Sequence, residues 1–206
     1  MKKSILLSLV LVLTVILAAC SNDESDDDKG YSGKNAPKNV KTITEQDIFN
    51  SDKSGETLSE AEANKAIKKY LDVNSDIIDN KYLIQYQLDK QTGTDTKITD
   101  KQAKRLSELS HNSVKNDVRF KKFVKNNKFP DGYEENLDRI VNYFTALNST
   151  IKNADEDIEQ LDYQPQNKLN VADVPTKYAG DVNGKQQDKI KEFLKDKGIK
   201  SDAVDK

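Results

Sequence analysis

Residues 133–161 read YEENLDRIVNYFTALNSTIKNADEDIEQL, with apolar side chains at alternating intervals of four and three residues. This spacing is the a and d pattern of a helix that packs along one face for about four heptads. At 1.5 Å per residue, the stretch predicts a helix roughly 43 Å long. The seam consists of Tyr133, Leu137, Ile140, Phe144, Leu147, Ile151, Ala154, Ile158 and Leu161.

Two earlier segments, at about residues 60–89 and 100–126, carry helical apolar patterns of similar length. Short polar loops connect the three segments, and short loops place consecutive helices side by side in opposite directions. We therefore predict an all-α fold, an antiparallel bundle of about three long helices that occupies residues 58–162.

Both earlier segments begin with a capping box. In the first, Ser59 is followed three residues later by Glu62, and in the second, Thr99 is followed by Gln102. The hydroxyl of the first residue and the side chain of the second bond to each other's backbone N–H groups, which stabilises a helix start by about 1 kcal/mol. The capping boxes place the two helix starts at residues 59 and 99.

Residues 77–89 are compatible with two structures. Ile77, Ile78, Ile84 and Leu88 fit a helix that continues or restarts, with Ser75 as a second cap. The run YLIQYQL also alternates as a strand would. We favour the helix because no nearby segment resembles a partner strand.

The second helical segment carries an apolar stripe that is predicted to face the core. A helix buries residues that recur every three or four positions. The stripe consists of Ala103, Leu106, Leu109, Val114, Val118, Phe120, Phe123 and Val124.

Residues 163–206 are predicted to form a loop followed by a short C-terminal helix. Ile190, Phe193 and Leu194 lie together on one face of this helix, which is expected to end at Gly198. Asn183 is placed to cap its start. The pattern leaves open whether the helix packs on the bundle or acts alone.

The first nineteen residues have the three parts of a secretory signal. Lys2 and Lys3 are followed by the apolar run SILLSLVLVLTVI and then by small residues. The apolar run is short for a stable membrane span, although an uncleaved anchor is the alternative. We predict that residues 1–19 are a removable signal peptide.

Leu17, Ala18, Ala19 and Cys20 resemble the lipobox of bacterial lipoproteins. The resemblance implies that the Cys20 thiol is linked to diacylglycerol, that the chain is cut before Cys20, and that palmitate or similar acyl chains hold it in the membrane. Cys20 is the chain's one cysteine, so it has no disulfide partner within the chain. The predicted location is the extracytoplasmic face of the cell membrane.

Residues 20–57 are predicted to be a flexible acidic tether, because their composition offers little apolar surface to bury. Removal of Lys2 and Lys3 from the 33 basic residues leaves 31 against 35 acidic ones, a formal charge of −4. Nucleic acid selects strongly basic faces, so we expect no nucleic-acid partner.

The sequence offers few groups for catalysis. Its one histidine, His111, lies among polar neighbours, and no set of metal ligands or glycine-rich phosphate loop is present. The acidic run DEDIEQLD, which includes Asp155, is expected on the exposed face of the third helix. We therefore predict no catalytic residues, no metal site and no cofactor.

The run Asn116-Asp117-Val118-Arg119-Phe120 resembles the signature of the NDxxF motif lipoproteins, a small Gram-positive family. The resemblance implies a lipobox and a soluble domain of about this size, without an assigned activity. From its helical spacing, Phe120 is expected to fill the core. Asn116 and Asp117 are expected to bond to the loop bearing Lys197 or to a neighbouring helix, with a partner-binding epitope as the alternative.

Together these features predict a lipid-anchored envelope protein that is a non-enzymatic binding or scaffolding module. Its partners would be the membrane, through acylated Cys20, and another envelope protein or the cell wall. Two alternatives stay open: an envelope hydrolase that uses carboxylates, and a small solute-binding lipoprotein.

Overall fold

The computed structural model describes residues 36–160 and 169–206, which belong to one compact unit. The predicted signal peptide, the lipobox, Cys20 and the first part of the predicted tether lie outside the described residues, as does Leu161 of the seam.

The described residues form a helical bundle. Helix α1 spans Glu60–Asp89, α2 Asp100–Asn126, α3 Glu134–Gln160 and α4 Gly184–Asp196, with a short 3-10 helix at Thr176–Tyr178. The one extended pairing among them is an isolated bridge between Thr57 and Lys128. The predicted all-α fold is confirmed.

Helix α2 runs antiparallel to α1 and packs against both α1 and α3, whereas α4 packs on α3. Two hydrogen bonds between α1 and α2 show that the helices run in opposite directions. Tyr70, early in α1, bonds to Asp117 in the second half of α2, and Asn80, later in α1, bonds to Arg105 near the start of α2. Loops of about ten residues or fewer join the three long helices, as the loop-length argument requires.

Helix α1 continues without a break through residues 77–89, so the helical alternative is correct and the strand alternative is wrong. The suggestion that Ser75 caps a second helix is also wrong. Its hydroxyl instead donates to Asp202 near the C-terminus, over 2.8 Å. The alternation of YLIQYQL arises because α1 is covered on several sides and buries more than one stripe.

The predicted helix starts are confirmed in atomic detail. Both capping boxes are complete, with the Ser59 and Thr99 hydroxyls accepting from the backbone N–H groups of Glu62 and Gln102. The Asn183 side chain accepts from the N–H of Gln186 at the start of α4. These bonds satisfy backbone donors that a helix start otherwise leaves free.

The α3 seam faces the core along its described length, with Leu147 and Ile158 only partly buried. Aromatic side chains dominate the core near the start of α1, where Tyr70, Phe120 and Phe144 are fully buried. Aliphatic side chains fill the other end, where Ile77, Leu106 and Ile151 meet.

The predicted apolar stripe of α2 is wrong at two positions. Val114 and Val118 are 39% and 59% exposed, because they lie on the side of α2 away from the core. Polar residues occupy the core-facing positions nearby, namely Ser113, Asn116 and Asp117. A pattern built from apolar residues alone cannot detect a core face made partly of polar groups.

The predicted tether extends too far along the chain. Ile48 and Phe49 are core residues, and Ile43 packs against the aliphatic cluster. The N–H groups of Gly55 and Leu58 bond to the carbonyls of Asn126 and Lys128. The apolar pair Ile48-Phe49 gives this segment enough burial to order it, so the folded part begins well before residue 58.

The C-terminal residues belong to the bundle. Ile190, Phe193 and Leu194 of α4 enter the aromatic core, and Ala203 and Val204 follow them. The helix ends at Asp196, and Gly198 follows the C-cap residue Lys197 with a φ of +65°, which is natural for glycine at this position. The N–H of Ile199 then bonds to the carbonyl of Leu194, the closing bond of a Schellman motif. The C-terminal helix therefore packs on the bundle.

Within the described ranges, no helix combines the length and the apolar character that a bilayer span requires.

Candidate functional site

Asn116 connects the N-terminal segment to two helices. Its side-chain oxygen accepts from the backbone N–H of Phe49 at 3.1 Å, and its amide donates to the carbonyl of Tyr70 at 3.5 Å. The residue has no exposed surface. Its amide therefore provides an acceptor for the buried N–H of Phe49 and a further donor to the Tyr70 carbonyl.

Asp117 lies at the centre of a polar network that joins α1, α2 and α3. The Tyr70 hydroxyl donates to one carboxyl oxygen at 2.7 Å, and the Asn148 amide donates to the other at 3.0 Å. The same Asn148 amide donates to Asn74, whose own amide donates to the Tyr70 carbonyl. One residue of α2 is thereby fixed to both neighbouring helices.

Burial dominates the electrostatics of this network. It raises the pKa of the Asp117 carboxyl from 3.8 to about 6, although the hydrogen bonds from Tyr70 and Asn148 favour the charged form. Burial also raises the pKa of the Tyr70 hydroxyl well above its ordinary value, with the nearby Asp117 carboxylate as the second cause. Tyr70 therefore remains a hydrogen-bond donor at any physiological pH.

Phe120 completes the group on the same face of α2. Its ring stacks on Tyr70 with centroids 4.0 Å apart and planes 8° from parallel, and its edge meets Phe49 at 5.0 Å. The motif residues Asn116, Asp117 and Phe120 are all buried. We call the hydrogen-bonded residues Asn116, Asp117, Tyr70, Asn74 and Asn148 the polar core network, against which Phe120 packs.

Asn116 and Asp117 form their hydrogen bonds with neighbouring helices and with the N-terminal segment. Lys197, the alternative partner, instead bonds to Glu60 at 3.0 Å and lies over the Tyr133 ring. Within the motif, Val118 faces solvent, while Arg119 is half-buried and bonds to Glu45. The buried motif residues explain the local fold, whereas Val118 is available to a partner.

The other predicted residues lie apart from this network. His111 is exposed on α2 and lies 3.5 Å from the Ser107 hydroxyl. In the acidic run of α3, Asp155 is buried, so the expectation of a wholly exposed acidic face is wrong at that position. Across residues 36–160 and 169–206, no cluster of three His, Cys, Asp or Glu side chains is arranged to hold a metal ion.

Lys81 and Gln85 were not identified by sequence reasoning. The Lys81 ammonium is fully buried and donates to the carbonyl of Ala172 over 3.4 Å. Burial lowers its pKa from 10.5 to about 8, and the charge of Asp173 opposes the change. Both residues follow Ile77 and Ile78 at helical spacing, which is the signal that could have identified them.

The Gln85 amide holds the segment that returns to the bundle after α3. Its oxygen accepts from the N–H of Val171 at 2.7 Å, and its nitrogen donates to the carbonyl of Leu169 at 3.4 Å. Leu169 and Val171 pack into the aliphatic core, and the Thr150 hydroxyl donates to the Val171 carbonyl. The Gln85 amide thus bonds to the backbone of this segment as a neighbouring strand would.

An open groove of about 950 Å³ lies where α2 ends and α3 begins. Its floor is apolar and includes Val124, Phe129 and Leu137. Its charged lining residues are of both signs, since α2 and the following loop supply lysines while the loop and α3 supply acids. They are Lys121, Lys125 and Lys128, and Asp131, Glu134 and Asp138.

We compared the chain with models of protein families, with curated proteins and with solved structures, and none of the three comparisons found a match. The resemblance to the NDxxF motif lipoproteins therefore remains a prediction.

Proposed function

We propose that the protein is a lipid-anchored lipoprotein on the extracytoplasmic face of a bacterial membrane, where it acts as a binding or scaffolding module. The observation that carries the proposal is the apolar run that ends in Leu17-Ala18-Ala19-Cys20. Two acyl chains on Cys20 would hold the protein durably, since each buried methylene contributes about 0.8 kcal/mol.

The placement of the polar groups supports a binding role. Asn116 and Asp117, the polar residues of the motif, form their hydrogen bonds inside the bundle. The outer surface of α2 instead offers exposed valines and lysines beside a groove with an apolar floor. Partners of such a surface would be another envelope protein, the cell wall or the membrane itself.

Asp117 is the residue that an envelope hydrolase would need to use, because its raised pKa is typical of a catalytic acid. Its carboxyl accepts from Tyr70 and Asn148, and the groove described above is lined by other residues. We infer a structural role for it. The Asp117→Asn variant should therefore lose stability without losing a specific hydrolytic activity.

The anchor is tested by fractionation of cells that express the Cys20→Ala protein. We expect the variant in the medium or the soluble fraction, and the wild-type protein in the membrane. Mass spectrometry of the wild-type N-terminus should find an acylated residue 20. A variant that stays in the membrane, or an unmodified Cys20, would contradict the proposal.

A binding role is tested by cross-linking the lipidated protein in intact cells and identifying the recovered molecules. We expect recovered envelope molecules, lipid or protein, whose yield depends on exposed residues of α2. Val118→Ser is the probe variant, and Lys189→Ser on α4 is the control. Equal recovery with both variants would argue against a binding surface on α2.

A further inference from the structure

The side of α2 that faces away from the core combines apolar and basic side chains. Val114 and Val118 are one turn apart, and they are the large hydrophobic residues that the described chain leaves exposed. Lysines follow them on the next turns. We call this surface the α2 outer face, and it consists of His111, Val114, Val118, Lys121, Lys122 and Lys125.

The charge of α2 differs from that of the rest of the chain. The helix carries eight Lys and Arg against three Asp and Glu, and one of the three, Asp117, is buried. The whole chain has a formal charge of −2. Basic residues are thus concentrated on one helix of an acidic protein.

Part of this charge is already neutralised by the protein. Lys115 and Arg119 both bond to Glu45, and Lys104 lies 3.9 Å from Glu108. Lys121, Lys122 and Lys125 are exposed and form no ion pair with any described residue. The positive charge that a partner would meet is therefore concentrated next to the two exposed valines.

The chain that leads to the proposed anchor reaches the bundle beside this face. Glu45, which bonds to Lys115 and Arg119, is 25 residues from Cys20. Residue 36, the first that the structure describes, is 16 positions from Cys20, and a chain of that length spans at most about 55 Å. The bundle's longest helix has 30 residues and spans about 45 Å. A bundle so tethered stays within contact distance of the membrane.

We propose that the α2 outer face lies against an anionic lipid surface, with the valines at the level of the headgroups and the lysines among the phosphates. The proposal rests on the proposed lipid anchor, since the tether is what keeps the face near the bilayer. The chemistry required of the surface is a dense array of phosphate groups beside accessible hydrocarbon.

The tether makes a weak contact sufficient. A lysine near an anionic membrane strengthens binding by about fivefold, so three lysines contribute roughly a hundredfold. A tethered module also meets its surface at an effective concentration in the millimolar range. Under these conditions the three free lysines would orient the bundle without any further partner.

The shape of the α2 outer face favours lipid over a polypeptide that binds in the adjacent groove. The groove is lined by three lysines and three acidic residues, so its charge does not select an acidic helix. A flat membrane would touch only the side chains that protrude from α2, and it would avoid the groove floor. The exposed valines on the outer face fit the flat surface better than the concave one.

The position of the face on the membrane is tested with a polarity-sensitive dye. Cys20→Ser makes the mature chain free of cysteine, so Val118→Cys on α2 or Lys189→Cys on α4 becomes its one labelling site. Vesicles that contain phosphatidylglycerol, at the millimolar lipid concentration that the tether would otherwise supply, should shift the emission of the dye at residue 118 to the blue and leave residue 189 unchanged. Equal shifts, or none, would overturn the proposal.

The role of charge is tested by vesicle co-sedimentation at low and high salt. Replacing Lys121, Lys122 and Lys125 with glutamine should weaken binding to phosphatidylglycerol vesicles by roughly a hundredfold. The matched control replaces three exposed lysines of α4, namely Lys185, Lys189 and Lys195. It should have a much smaller effect, and circular dichroism checks that both variants fold.

Equal losses in the two triple variants, or equal binding to neutral phosphatidylcholine vesicles, would overturn the proposal. So would a dye shift at residue 118 that occurs with solubilised envelope proteins and not with lipid, which would identify a protein partner instead. Mass spectrometry of the natural N-terminus reports separately on the anchor. A failed anchor and a failed lipid contact therefore give different results.

Discussion

At the scale of single residues, the interior of this bundle is unusual for the charge that it contains. Asp117 is buried between three helices, and Lys81 is buried beneath the segment that includes Ala172. The two are held differently. Asp117 accepts hydrogen bonds from Tyr70 and Asn148, whereas Lys81 has one long hydrogen bond to a carbonyl. Replacing the two residues with uncharged ones should therefore change stability with opposite dependence on pH.

Asp117→Asn should destabilise the protein at pH 4, and it should have a much smaller effect at pH 7, where burial already disfavours the wild-type carboxylate. The pKa of Asp117 is about 6 in the folded state against an ordinary 3.8, so the folded state binds the proton more tightly. Its contribution to stability therefore increases as the pH falls from 6 to 4, by about 2 kcal/mol.

Urea unfolding of both proteins at several pH values measures this effect as the difference between wild type and variant. The asparagine introduced at position 117 would also point an N–H group at the Asn148 amide, which adds a constant cost of about 1–3 kcal/mol for a lost hydrogen bond. Parallel curves between pH 4 and 6 would show that Asp117 does not titrate as described.

Lys81→Met should stabilise the protein at pH 7. The folded state disfavours the buried ammonium, whose pKa falls from 10.5 to about 8, and methionine fills similar space without a charge. The expected gain is about 2–3 kcal/mol below pH 8. It should shrink between pH 8 and 10.5, because neutral lysine carries no such penalty.

Thermal or urea unfolding at pH 7 and pH 10 measures the gain. Lys65→Met, at an exposed position of the same helix, is the control and should change stability little. A lower unfolding free energy for Lys81→Met at pH 7 would mean that the bond to Ala172 outweighs the cost of burying the charge.

At the scale of the elements, the segment before α1 behaves as a structural part of the bundle. Phe49 packs against Phe120 and Phe123, and its N–H donates to the Asn116 side chain. Phe49→Ala should therefore cost about 3–5 kcal/mol, as for other buried phenylalanines.

The effect of Phe49→Ala is measured by chemical unfolding, with Lys38→Ala as the control. Lys38 lies in the same segment and is exposed, so its replacement should change stability by less than about 0.5 kcal/mol. If the two replacements lowered the unfolding free energy by equal and small amounts, the segment would be a tether and not part of the bundle.

The helices could be predicted from the sequence because each carries a regular apolar pattern and a recognisable start. The helix at 60–89, for example, begins at Ser59 as its capping box requires. The N-terminal segment could not, since the pair Ile48-Phe49 is too short to have a period. The polar core network was missed as a unit because buried Asn and Asp resemble surface residues until their partners are known.

At the scale of the whole molecule, the C-terminus closes the bundle. Ile199, Ala203 and Val204 are buried in the aromatic core, and Lys206 bonds to Asp79 of α1. The last eight residues therefore link α4 back to the first helix, so the sequence-based boundary at residue 162 does not divide the fold.

Deletion of residues 199–206 should lower the unfolding free energy by several kcal/mol, because it removes three buried apolar side chains and the end of the Schellman motif. Calorimetry of the truncated and full chains measures the loss. Lys206→Ala is the control, and as the loss of a partly exposed ion pair it should cost at most about 1 kcal/mol. Equal melting temperatures for the truncated and full chains would contradict a closing role.

The bond between Asp117 and Asn148 also has a consequence for the order in which the protein can be assembled. The network that holds Phe49 in place needs a residue that emerges about a hundred positions later. Until Asn148 has been synthesised, Asp117 lacks one of its donors, so the growing polypeptide cannot complete its interior. The interior of the bundle can therefore be completed only after most of the chain has been synthesised.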